Sequence, residues 1–338
     1  MTVHSIGDQA RAFALQAASY RLKTTLATLT QEMASGEVAD IGQRLGGNTQ
    51  ILSRIETRIL FMEQLGRNTA EAATLTQGMQ DVLESVRSEV GALGLSLLAE
   101  PFNETESLLS MRAGEVADAF ETTVARFNRA VGDRFLFSGL NSDAPALAPA
   151  NEILDALVVI VAGLTTAADV TQAVSDWFDA APGMGGFLDV AYRGTIGQAQ
   201  HVTIGEDQTL ALVTTAATPA LRDVLKGLAT AALVDRNVLA GQHGQRRDLM
   251  QTGGRVLVDN APELLSEMGR IGMGQQLIER ARSESAATLS TMKIVRNELR
   301  AADPYETAGA LKQVEAQLES LYAVTARLSS LKLVDYLR

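Results

Sequence analysis

The chain has 338 residues, 46% of them hydrophobic but only 4% aromatic, and its net charge of -11 comes from 29 Lys+Arg against 40 Asp+Glu. That length accommodates two or three domains, the aliphatic bias suits long helical seams better than an aromatic pocket, and the acidic balance argues against nucleic acid, which needs a basic patch. The absence of cysteine excludes disulfides and thiol chemistry; His4, His201 and His243 are too far apart for helical ligand spacing, so neither metal nor cofactor is expected.

Near the N-terminus Leu15, Ser19, Leu22, Leu26, Leu29 and Met33 step by four and three, which places them on one side of a helix ending at Gly36. A second long helix follows from Leu52, Ile55, Ile59 and Met62, then Leu75, Met79, Val82, Val86, Val90, Leu93 and Leu97, before Pro101 stops it. Asn103 with Glu106 has the spacing of a capping box for a third helix, reaching about Val131.

The segment GDRFLFSG, residues 132–139, breaks the helical pattern and leads into the turn-rich NSDAPALAPA. Four of the seven prolines lie between Pro145 and Pro219, so helical ends flank an irregular middle. There Gln200 to Ile204 alternates, Gly205 to Gln208 supplies a turn, and Thr209 to Leu212 alternates again, the pattern of a hairpin. Helical segments around 153–164, 170–178 and 221–233 make this region mixed α+β.

Beyond Pro262 the helical seam returns as Ile278, Ala281, Ser285, Thr288, Met292, Val295 and Leu299. The last helix has Asp303 as its cap, Pro304 in its first turn and Glu306 three residues past the cap. Leu311, Val314, Leu318, Leu321, Val324, Leu328 and Leu331 then form its stripe.

These patterns predict a mainly α fold in which long N- and C-terminal helices form a coiled-coil-like rod, with an inserted α+β central domain. The divisions are residues 1–40 with 301–338 as a terminal helical assembly domain, 41–137 with 255–300 as a helical rod, and 138–254 as an outer module. A terminal helix this apolar either packs against its own chain or waits for a partner, because a lone helix of such length is marginal in water; the second alternative makes the terminal stripes an assembly surface. The candidate assembly interface is therefore Leu15, Leu22, Leu26, Leu29, Leu311, Val314, Leu318, Leu321, Leu328, Leu331, Leu333, Tyr336 and Leu337.

No catalytic arrangement rises above background. Gly183-Met184-Gly185-Gly186 lacks the Lys-Ser/Thr of a phosphate loop and reads as a turn; Ser138 lies outside any G-x-S-x-G elbow. Asp179 and Asp189 could serve acid–base chemistry, although nothing singles them out. QHGQRR, residues 242–247, with Gly241, Gly253 and Gly254 could hold an anion, the simpler account being a polar connection. The apolar run 153–164 contains Asp155 and falls short of the roughly 20 residues of a membrane span. The N-terminus lacks the pattern of a cleaved signal peptide. No membrane insertion and no enzymatic activity are expected.

Four stretches carry a family resemblance. TLATLTQEMASGE (25–37) looks like a flagellin-type N-terminal helix with its Ser-Gly turn, and FNRAVGDRFLFSGLNSDAPAL (127–147) like the passage out of the helical domain. AYRGTIGQAQHVTIGEDQTL (191–210) is similar to a central Y-x-G-x-x-G hairpin, and VEAQLESLYAVTARLSSLKLVDYL (314–337) to a terminal helix with an L-x-L-x-D-Y-L ending. In order along the chain, they resemble the flagellin superfamily, most closely its hook-filament junction proteins, also called hook-associated protein 3. One departure is VADIGQRLGGNTQIL (38–52), where many members have an Asp-Asp-Pro segment.

The resemblance implies a structural component of the bacterial flagellum that joins hook to filament by self-assembly of its terminal helices. It further implies a neighbouring hook-associated protein and flagellin as partners, a type III export chaperone, and extracellular placement by the flagellar type III pathway without a cleaved signal. A filament subunit of the same superfamily and a cytoplasmic coiled-coil scaffold would show similar seams.

Overall fold

The fold is known from a computed structural model, which describes residues 6–99 and 105–336, with side chains described for 9–99 and 105–328. In chain order it runs α1 (Ile6–Ser35), α2 (Ile41–Arg44), α3 (Gln50–Leu98), α4 (Glu106–Phe127), β1 (Ala130–Val131), β2 (Arg134–Phe135), α5 (Ala150–Ile160), α6 (Ala167–Asp179) and α7 (Phe187–Val190). There follow β3 (Gln200–Thr203), β4 (Thr209–Leu212), α8 (Pro219–Ala232), α9 (His243–Asp259), α10 (Ala261–Arg300) and α11 (Pro304–Tyr336). The fold is mainly α, as the sequence predicts. Its contacts divide it into a smaller unit, residues 1–62 with 287–338, and a larger one, residues 63–286; α3 and α10 each contribute to both.

In the larger unit the seam read from sequence is the buried face of α3: Leu75, Met79, Val82, Val86, Val90, Leu93 and Leu97 are all inside. Their three-and-four spacing has one cause, the 3.6-residue turn that brings them to one side. α4 starts where the Thr105 hydroxyl accepts from the Leu108 N–H at 3.3 Å, a side-chain cap that satisfies one of the helix's orphan donors. Thr105 thus takes the role expected of Asn103, which lies outside the described residues. α4 also ends earlier than expected, at Phe127, since Ala130 and Val131 turn at Gly132 (φ +60°) and pair with Arg134 and Phe135.

Two motifs quoted for the resemblance meet in space. The Thr195 N–H donates to the Ser138 carbonyl at 3.1 Å and the Leu140 N–H to the Thr195 hydroxyl at 2.8 Å. A side chain on Gly194 would sit 2.3 Å from the Tyr192 hydroxyl and 2.5 Å from the Ser138 carbonyl, so only glycine admits this approach. Ser138 is buried and its hydroxyl donates to the Ala144 carbonyl at 2.7 Å. Asn128 secures the crossing by donating to and accepting from the Leu147 backbone at 3.0 and 2.8 Å.

The hairpin β3–β4 lies where the alternation predicts, its first strand ending one residue earlier at Thr203, with Gln200 opposite Leu212 and Thr203 opposite Thr209. Ile204 and Leu210 bury against Ala72, Ile278 and Ala281 of α3 and α10. The main core runs without a break from Leu75 through Phe120, Phe127, Leu157, Val174, Leu228 and Leu257 to Ile271. It crosses both boundaries of the central region that the prolines suggested, because α4 packs against α5, α8 and α9.

Candidate assembly interface

In the smaller unit α1 and α11 pack side by side. Their direction follows from two points. At one end the Ala302 N–H donates to the Gly36 carbonyl and the Val38 N–H to the Arg300 carbonyl, both at 2.9 Å; farther along, the Lys23 ammonium lies 5.8 Å from the Tyr322 ring centroid. The pair is therefore antiparallel. The turn closing α1 needs Gly36 at φ +72°, where its N–H reaches the Glu32 carbonyl at 2.8 Å.

Residues on either side of the segment 38–52 tie this end together. Arg300 pairs with Glu37 at 2.9 Å and Glu56 at 3.8 Å, and the Glu32 carboxylate accepts from the Ala39 N–H at 2.8 Å. Asp40 caps α2 by accepting from the Gln43 N–H at 2.9 Å. α11 opens as expected, with the Asp303 carboxylate accepting from the N–H groups of Tyr305 and Glu306 at 2.8 and 3.2 Å.

Two helices cover each other only along one stripe. Val314 and Leu318 are 9% and 7% exposed, whereas Leu15, Leu22, Leu26, Leu29, Leu311, Leu321 and Leu328 are half-buried. Two seam positions point outward instead: Met33 is 42% and Val324 48% exposed. Val324 is reached from Leu318 by two successive steps of three, which at about 100° per residue turn it away from the covered stripe. Phe13 and Tyr20, which the stripe omits, are 74% and 75% exposed. The side chains of Leu331, Leu333 and Tyr336, and all of Leu337, lie outside the described residues.

The other residues weighed from sequence have structural roles. The Asp189 carboxylate accepts from the Gly183 N–H at 2.8 and 3.0 Å and the Gly185 N–H at 2.8 Å. The glycine turn thus closes on the chain's own anion, and the Gly183 and Gly185 N–H groups hold the Asp189 carboxyl below its ordinary range. Burial pushes the Asp179 carboxyl up, but Lys226 at 2.8 Å and Arg222 at 3.3 Å outweigh it and leave its pKa lowered. A depressed carboxylate contributes stability that is present above its unfolded pKa and lost as pH falls through the folded one. The contribution of this pair should therefore be lost as pH falls below the ordinary Asp range, about 4, and Asp179→Asn should lower stability at pH 7 while flattening the acid limb of a pH titration followed by circular dichroism. An unchanged acid limb would show that this pair has no part in it.

Arg246 is buried, paired with Glu106 and donating to the Val234 carbonyl at 3.1 Å, so it is committed inside the fold rather than presented to an anion. Gly253 and Gly254 are not in a connection. They lie within α9, where a side chain on Gly253 would stand 2.6 Å from the Gly227 carbonyl of α8, and one on Gly254 2.7 Å from Cβ of Leu97 in α3. Adjacent glycines seat α9 against two neighbours at once. Both partners are distant in the chain, so spacing alone does not reveal the approach. Among the described residues no group of three or more acidic or histidine side chains could hold a metal, and no helix is long and apolar enough to cross a membrane.

No protein-family model matches the chain, and no curated protein matches it. Among solved structures it is similar to one described as "Structure of putative flagellar hook-associated protein from Vibrio parahaemolyticus", with 14% identity and a TM-score of 0.43 over 81% of this chain and 95% of that one. A likeness of that degree carries no argument about what this chain does.

Proposed function

We propose that this chain is a non-enzymatic structural subunit of the bacterial flagellum, exported by the flagellar type III pathway with a chaperone and placed outside the cell between hook and filament. Its terminal helices assemble with further copies and meet a neighbouring hook-associated protein and flagellin. What carries the reading is the α1–α11 pair: seven of its described seam leucines are only half-covered, and Phe13, Tyr20 and Val324 face outward. Such a surface gains from burial against further helices, at about 1.5–3 kcal/mol per large apolar side chain fully covered. The four ordered sequence motifs supply the flagellar part of the reading.

Leu321→Asp tests it. Leu321 lines a shallow groove on α11 with Gln317, Ser320 and Val324, and an unpaired carboxylate there is costly to bury. A strain lacking the gene should make hooks, secrete unassembled filament subunits and not swim. The wild-type chain should restore swimming, with immunogold label between hook and filament, while Leu321→Asp should be folded and exported yet leave the strain non-motile. Full motility with the variant would remove this groove from assembly. Label along the whole filament would identify a filament subunit, and protein confined to the cytoplasm a scaffold.

A further inference from the structure

The β3–β4 hairpin stands on two neighbouring feet. Before it the Thr195 N–H donates to the Ser138 carbonyl at 3.1 Å, and after it the Ala216 N–H donates to the Phe137 carbonyl at 3.0 Å. Phe137 and Ser138 are consecutive and wholly buried, so residues 196–213 leave the fold and return to it at one rigid place. Gly197 follows the first foot at φ +72°, with open space where a side chain would be. Among the described residues no third strand joins the pair, and its outer side chains His201, Thr203, Thr209 and Ala211 are exposed. A two-stranded hairpin is marginal by itself.

Its apolar hold is small and separate. Ile204 and Leu210 are buried with Ala72, Ile278 and Ala281 in a cluster of their own, apart from the main core; partly buried Leu212 is the hairpin residue that touches both. The floor shared by α3 and α10 is mostly short-chained: Ala72, Ala73, Ala281 and Gly274, where an added side chain would stand 3.6 Å from Leu210 Cδ1. Neither helix depends on that floor, since Leu75, Met79 and Val82 of α3 and Leu264 and Ile271 of α10 are buried in the main core. Polar contacts add to the attachment. Asn68 of α3 donates to the Thr203 carbonyl at 3.2 Å, and the Thr214 hydroxyl, just past β4, donates to Glu267 of α10. That carboxylate is 2% exposed and its other oxygen pairs with Arg270 at 2.7 Å, so it is held in place whether or not Thr214 is there.

We propose that the hairpin is a strap that lifts from the α3–α10 floor about its paired feet while the rest of the larger unit stays folded, with Glu267 as its clasp. Lifting uncovers Ile204 and Leu210 on one side and the alanine-rich floor on the other, so the resting chain keeps an apolar surface shut. Units held by few buried contacts open in this way below global unfolding. Because both feet stay on Phe137 and Ser138, the lifted segment gains freedom without pulling on the helices that carry it. The device belongs to the packing of the larger unit and stands whether or not the terminal helices assemble the chain.

The chain has no cysteine, so one introduced thiol reports on its own site. Ala72→Cys lies beneath the strap, and Val116→Cys, fully buried on α4, lies in the main core. In full-length chains shown by circular dichroism to be folded, a thiol reagent should modify Ala72→Cys at least about a hundredfold faster than Val116→Cys. Low urea should change the first rate little, because lifting exposes little surface, and the second steeply. Thr214→Val, which removes the hydroxyl and keeps the shape, should speed Ala72→Cys about tenfold and leave Val116→Cys unchanged. Equal rates with equal urea dependence overturn the proposal, because the floor is then reached only when the whole unit unfolds. Thr214→Val acting alike on both reporters, or on neither, overturns the clasp. Hydrogen exchange on the unaltered chain guards against a thiol that props the strap open: hydrogen-bonded amides of residues 200–212 should exchange ahead of those of α4 and α8, and a hairpin as slow as α8 overturns the strap.

Discussion

Gly253→Val is expected to destabilise the larger unit by about 3 kcal/mol, the upper end of what overpacking a buried contact costs. The reason lies in what a side chain would meet: the Gly227 carbonyl at 2.6 Å, Cβ of Ala231 at 2.9 Å and the Ala231 backbone nitrogen at 3.1 Å. Two of these are backbone atoms that no rotamer change can move, so α8 and α9 must separate. Separation is transmitted, because Leu257 of α9 lies against Gly227 and Gly94 and the neighbouring Gly254 against Leu97. Gly66→Ala is the matched control. Gly66 lies inside α3, and a methyl group in place of its hydrogen would meet nothing within 4 Å, so alanine there should gain about 0.5–1 kcal/mol through helix propensity and reduced chain entropy. Urea unfolding followed by circular dichroism measures both; a Gly253→Val midpoint equal to that of the parent would mean that the α8–α9 crossing is not tight.

What the sequence made legible, and what it hid, follows from the range of the forces involved. The α3 seam from Leu52 to Leu97 and the alternation of the β3–β4 hairpin are local: periods of 3.6 and 2 are imposed by backbone geometry, and every apolar residue must obey them to reach the core. The α11 start was equally readable, since Asp303 satisfies donors two and three residues away. Gly253 and Gly254 were opaque because their partners, Gly227 and Leu97, are distant in the chain. Without those partners, two adjacent glycines look like a loop. Within the candidate interface, Leu22, Leu26, Leu318 and Leu321 could be named from spacing, while the outward Phe13 and Tyr20 could not, because spacing finds the covered stripe and is silent about the other side. Asp189 shows the same limit: nothing in GMGG reveals that a carboxylate a few residues later occupies its N–H groups.

Replacement of Leu140–Gly253 by a flexible linker is expected to abolish the cooperative fold of the larger unit, even though the prolines of that region suggest a detachable module. The replaced stretch contains α5, α6, α7, the β3–β4 hairpin, α8 and most of α9, and α4 packs chiefly on α8, with α5 and α9 beside it. Val116, Phe120, Val124 and Phe127, each at most 3% exposed, would lose much of their cover. At about 1.5–3 kcal/mol for each large apolar side chain, four of them amount to about 6–12 kcal/mol, comparable with the whole stability of an ordinary domain. The Phe127–Phe137 edge-to-face contact, 5.5 Å between centroids, survives in covalent terms but loses the Ala216 N–H that fixes the Phe137 carbonyl at 3.0 Å. The shortened chain should therefore bind a hydrophobic dye, melt without a sharp transition and be cut rapidly by protease within α4, whereas the intact chain should resist. A deletion variant that melts cooperatively and leaves the dye dark would mean that α3, α4 and α10 hold a core of their own, and that the central region is a separable module after all.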